Sequence, residues 1–142
     1  KAGDRSVKNQ IMKITGDLAD EERNSLAVCL DTVLAYEGVQ RNTAYMLQRG
    51  ITVVEILRNN LPDAQILELS GCSLNAVLYY VNRDIPVLAM LNDGNAVLIV
   101  GFNELNTVLM DPLTGEVYKK GMNDSTEWFE ENGNSFITYI RE

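Results

Sequence analysis

Asp93-Gly94-Asn95-Ala96-Val97-Leu98-Ile99-Val100-Gly101-Phe102 is the stretch on which the reading of this chain turns. Asn92-Asp93-Gly94 is a turn signal, and residues 96–102 that follow are the apolar, β-rich run of a strand. Asn103 to Asn106 supply the next turn. Two further β-rich runs flank it, over 87–91 after Pro86 and over 107–110. The links between these runs are too short for parallel crossovers, so the spacing predicts an antiparallel sheet. Downstream, Asp111-Pro112-Leu113-Thr114-Gly115 reads as a turn, 116–119 as a strand, 125–131 as a helix closed by Gly133, and 136–140 as the last strand.

Upstream the periodicity is helical. Val7, Ile11, Met12 and Ile14 mark a short amphipathic helix over 6–14 that stops at Gly16. Asp17 then reads as the N-cap of a longer helix, with Leu18, Leu26, Cys29, Leu30, Val33 and Leu34 along one stripe and Gly38 as its end. Shorter helices are expected over 42–48 and over 52–60, the latter with Val53, Ile56 and Leu57 inward and a stop before Pro62. A brief strand over 65–69 follows, then a helix capped by Ser73 that buries Leu74, Val77, Leu78 and Val81. The fold class is therefore α+β: N-terminal helices, one of them central and buried, packed on a C-terminal twisted antiparallel β-sheet. At 142 residues this is one domain with room for a proper core, spanning residues 1–142, and a chain that begins at Lys1 reads as a piece of a longer protein.

Composition narrows the function. Lys and Arg number 12 against 20 Asp and Glu, a net charge of −8 that disfavours nucleic acid and anionic membrane as partners. No apolar run approaches the roughly 20 residues needed to cross a bilayer. Cys29 and Cys72 are too few and too far apart for a disulfide framework. With no histidine in the chain, a zinc site would need Cys and carboxylates alone, so neither metal nor cofactor is expected. Both cysteines lie in apolar contexts and read as small core residues. Of Tyr79-Tyr80 and Trp128-Phe129, one member of each pair is expected in the core and one at the rim. Asp20-Glu21-Glu22 and Glu127, Glu130 and Glu131 read as solvated faces.

The run from Gly94 to Phe102 resembles the strand on which C39-like peptidases, of the papain-like superfamily, carry their catalytic base as Gly-His, then alternating apolar residues and a Gly-aromatic pair. Ile85-Pro86-Val87-Leu88-Ala89 is similar to the family's Gly-Pro-Val-Ile strand, and Asp111-Pro112-Leu113-Thr114-Gly115 to the Asp-Pro-x-x-Gly turn whose acid orients the base. Asp111 lies sixteen residues after Asn95, and the family's interval is about sixteen. Counting back from Tyr36-Glu37-Gly38, the resemblance puts Ser25 at the nucleophile position, with Leu26 and Ala27 in place of Gly-Pro, and Ala19 at the oxyanion-stabilising Gln.

Of those four groups only Asp111 is retained. An amide at position 95 neither binds nor releases a proton near neutral pH, so no Cys-His or Ser-His relay is available. Without Gly-Pro, the central helix is expected to run unbroken from Asp17 and to leave Ser25 mid-helix, a small polar residue at a helix–sheet contact. Asp111 is expected to fix its own turn, with Asn95 beside it as a structural partner. The resemblance thus implies a catalytically inactive C39-like domain, with a vestigial groove at Ser25, Asn95 and Asp111 that serves a peptide or another protein, in a bacterial surface or secreted setting. Two readings stand beside it. One is an active peptidase using Ser25, Cys29 or Cys72 with an unconventional base; the other is a structural spacer or dimerisation domain.

Overall fold

A computed structural model describes residues 24–141. The expected helix over 6–14, and the readings of Asp17, Leu18, Ala19 and Asp20-Glu21-Glu22, lie outside them. In chain order the elements are α1 (Ser25–Tyr36), α2 (Thr43–Gln48), α3 (Val53–Asn60), β1 (Ala64–Glu68), α4 (Leu74–Val81), β2 (Val87–Met90), β3 (Ala96–Phe102), β4 (Asn106–Met110), β5 (Val117–Gly121), α5 (Met122–Glu131) and β6 (Ser135–Arg141). The strands form one sheet in the order β1-β6-β2-β3-β4-β5, and every neighbouring pair is antiparallel. The α+β class and the antiparallel sheet match the sequence reading.

Helix α1 corrects it in one respect that bears on the site. Asn24, in extended conformation (φ −84°, ψ 173°), is the N-cap, and its side-chain oxygen accepts the Ala27 N–H at 2.8 Å. Helical geometry in α1 therefore starts at Ser25, and the unbroken run expected through this point is interrupted at Asn24, because Asn satisfies an orphan N–H as well as any capping residue and makes a Gly-Pro break unnecessary. The other end is as read. Gly38 adopts φ +86°, the Val39 N–H bonds the Leu34 carbonyl at 2.7 Å and the Gly38 N–H bonds Ala35 at 3.0 Å, a Schellman closure that the left-handed glycine makes possible.

The sheet is covered on both faces, one layer more than a single main helix on a sheet. Cys29, Leu30, Val33 and Leu34 of α1, with Ile56 and Leu57 of α3, pack against Leu88, Leu98, Val100, Val108 and Met110. On the opposite face Leu74, Val77, Leu78 and Val81 of α4 and Phe129 of α5 pack against Val87, Ala89, Val97, Ile99 and Phe136. Two buried faces explain why β3 is apolar at every position rather than alternating. An irregularity between Ile99 and Gly101 shifts its register against β4 and turns Phe102 toward the α4–α5 face. At Gly101 a Cβ would meet the Cβ of Val108 at 3.4 Å, so the glycine permits a close strand approach. Phe129 is buried and Trp128 is at the rim, as expected; Tyr79 is exposed and Tyr80 half-buried, so neither member of that pair is fully in the core.

Candidate functional site

The first helical residue of α1 and the residue just before β3 meet. Ser25 is 4% exposed. Its hydroxyl donates to Oδ1 of Asn95 at 2.8 Å and accepts the Ala96 N–H at 2.9 Å. These contacts bring together the two positions, seventy residues apart in the chain, that the sequence reading aligned with a nucleophile and a base. They also place Ser25 at the helix start, where the first-turn N–H groups have no helical partners, and not in mid-helix as expected.

Asn95 is itself held by the turn that precedes β3. Its N–H donates to Oδ1 of Asp93 at 3.0 Å and its carbonyl accepts the Leu91 N–H at 2.8 Å. The backbone N–H of Asn95, and then its side chain, hold the Asp93 carboxyl below its usual range. The side-chain oxygen of Asn95 is left facing Ser25. An amide oxygen does not take up a proton near neutral pH, so the Ser25–Asn95 bond is a hydrogen bond and not a proton relay.

Asp111 follows Met110, which pairs with Leu98 of β3, and so lies toward the same end of the sheet as Asn95. Its Oδ1 accepts the Leu113 N–H at 2.9 Å, its carbonyl accepts Gly115 at 2.8 Å, and its N–H bonds Glu116 at 2.9 Å. Asp111 thus fixes the Asp-Pro turn, as the sequence reading had it. The expected pairing with Asn95 is replaced: the Asn95 oxygen goes to Ser25 and the Asp111 oxygen to its own turn.

The cysteines lie elsewhere. Cys29, one turn beyond Ser25, is fully buried in the α1 core, and burial first, then the charge of Asp111, pushes its thiol well above the ordinary range. Such a thiol stays protonated. Cys72 is half-buried and packs on the α4–α5 side of the sheet, the face away from α1. A cleft of about 310 Å³, lined by Glu104, Leu105, Gly121, Met122, Asn123 and Asp124, opens at the β3–β4 turn and the start of α5. That is the opposite end of the β3–β4 hairpin from Asn95 and Asp111, so this cleft is separate from the candidate site.

Two groups at the site were not anticipated from the sequence: Asn24 as the cap that starts α1, and the Ala96 N–H that binds Ser25. The first was legible, since Asn directly before an apolar-periodic run is a start signal. The second is a backbone group and carries no sequence mark.

No family model matches the chain. No curated protein matches it either. Among solved structures, a protein from Bacillus anthracis described as a C39-like peptidase superposes with a TM-score of 0.73 at 14% identity, covering 92% of this chain and 98% of that one. A double-glycine-motif protease from an AMS/PCAT transporter, determined in complex with the leader peptide, superposes with a TM-score of 0.65 at 16% identity, covering 94% and 96%. The fold of this chain is the C39-like peptidase fold, over nearly the whole length of both neighbours.

Proposed function

We propose that the chain is a catalytically inactive C39-like homologue that binds a peptide or another protein at the groove bounded by Ser25, Asn95 and Asp111. The observation that carries this reading is the closed hydrogen-bond arrangement of Ser25, whose hydroxyl proton goes to an amide oxygen that cannot accept it as a base. In working triads, loss of the nucleophile or base lowers turnover on the order of 10⁶-fold. The overall fold is that of C39-like peptidases, and the transporter protease of the same fold was determined in complex with the leader peptide, which supports a peptide as the ligand. On the family resemblance the setting is a larger bacterial protein, at the cell surface or secreted, in which residues 1–142 form one domain.

The near-complete burial of Ser25 favours a second reading, a structural spacer or dimerisation domain whose groove is filled by its own side chains. Incubating the pure domain with a diverse peptide library, and reading bound, unbound and cleaved species together by mass spectrometry, separates the alternatives. Intact peptides enriched on the protein are the expected result. New cleavage products that disappear in Ser25→Ala or Cys29→Ala would overturn the reading, and absence of both signals would leave the structural role.

A further inference from the structure

We infer that the outer edge of β5 is a second interaction surface, one that accepts an extended peptide in which two apolar residues are followed or preceded by two acidic ones. Strand β5 ends the sheet, and among the described residues no strand pairs with its outer side. Alternate residues of an edge strand turn their N–H and C=O groups outward, and these are a template for strand addition.

The side chains of β5 decide which strand can add to it. Val117 is 37% and Tyr118 40% exposed. Lys119 and Lys120 follow, the only adjacent basic residues in a chain of net charge −8. Lys119 is exposed, while the ammonium of Lys120 lies 4.8 Å from the Trp128 ring centroid. Register against β4 sorts them by face. Val117 and Lys119 stand opposite Met110 and Val108, on the α1 side; Tyr118 and Lys120 stand opposite Leu109 and Thr107, on the α5 side. Each face of the edge therefore offers one apolar residue and then one cation.

A strand added beside β5 meets that pattern with an apolar and an acidic residue on each face, which is two neighbouring apolar residues next to two neighbouring acids. Asp111 and Glu116, just before β5, repel carboxylates at that end and fix the acids over the lysines. The net negative charge of the whole chain is screened beyond about 8 Å at physiological salt, so the nearest charges decide. A second copy of this chain does not fit as well. An antiparallel β5–β5 pair centred on its middle residue sets Lys119 against Lys119, and each copy carries −8. Asp111 borders both this edge and the groove proposed above, so Lys119 and Lys120, which belong to the edge alone, tell the two sites apart.

The probes are acetyl-Ser-Glu-Glu-Val-Val-Ser-amide, which sets its acids over the lysines as an antiparallel strand, and acetyl-Ser-Val-Val-Glu-Glu-Ser-amide, which does so as a parallel one, each titrated into the protein while backbone amide NMR shifts are followed. Shifts centred on residues 117–121, and binding that weakens as salt rises, are expected. Lys119→Glu should lower the affinity about fivefold, the size of one cross-strand charge pair, and the Lys-Lys form of the bound peptide should bind Lys119→Glu/Lys120→Glu better than it binds the wild type. Shifts confined to the surroundings of Ser25 and Asn95 would overturn the inference while leaving the groove reading intact. No shifts with either peptide at millimolar concentration would overturn it alone. Protection of the β5 amides that grows with protein concentration, without peptide, would assign the edge to a second copy and overturn it as well.

Discussion

Ser25 has both of its hydrogen-bonding capacities filled, as donor to Asn95 and as acceptor from the buried Ala96 N–H. In this arrangement Ser25, which the sequence reading aligned with a nucleophile, joins the start of α1 to the start of β3. Ser25→Ala leaves the Ala96 N–H without its partner inside the protein, so it should cost about 1–3 kcal/mol of folding free energy. Urea denaturation at constant m-value measures this. A cost within about 0.5 kcal/mol, typical of an uninvolved surface position, would show that the link holds nothing together. The residue-level reading from sequence went astray at the same spot. Asn95 and Asp111 were recognisable because their strand and turn carry strong local marks, but the partner of Asn95 is decided by which side chain the helix start delivers.

Helix α1 shows how one capping residue sets a site. The Asn24 side chain takes the Ala27 N–H, which starts the helix where Ser25 can face the sheet. Asn24→Ala should destabilise the protein by about 1 kcal/mol, and Asn24→Ser should recover most of that loss; thermal melts of the three proteins compare them directly. An equal loss in both variants would place the helix start under tertiary rather than capping control. Most elements were legible because their signals are local. Ser73 before Leu74-Asn75-Ala76-Val77 starts α4 and accepts the Ala76 N–H, and Thr52 starts α3 within a capping box with Glu55. Boundaries moved where tertiary pairing decides them. Strand β5 runs to Gly121 and α5 begins at Met122, because the Met122 N–H bonds the Leu105 carbonyl across the fold. The second helical layer was not legible as such. An apolar run like 96–102 is compatible with one buried face or two, and only the positions of α4 and α5 distinguish them.

At the scale of the whole molecule, protons held in the interior set the pH limits. Burial, then the charge of Asp111, raises the Cys29 thiol, and burial together with Glu37 raises the Tyr139 hydroxyl, which donates to Glu37 Oε2 at 2.5 Å. The folded protein keeps both protons where the unfolded chain, with ordinary values of about 8.5 for Cys and about 10 for Tyr, releases them. Unfolding then releases protons, so this stability is complete below about pH 8 and declines progressively once pH exceeds the unfolded values of roughly 9 and 10, toward the raised folded ones. Between about pH 6 and 8 the chain has no histidine to titrate, and its urea midpoint should stay flat. Tyr139→Phe should lower the midpoint at neutral pH and make the alkaline decline shallower; an unchanged alkaline slope would count against a protonated Tyr139 as its cause. The proposed function requires that this C39-like fold carry no activated nucleophile. Its most direct test is the intact mass of the native protein after treatment at pH 7 with iodoacetamide and, separately, with a fluorophosphonate. The account predicts alkylation at Cys72 alone, with Cys29 modified only after unfolding and no phosphonate on Ser25, whereas rapid modification of native Ser25 or Cys29 would contradict it.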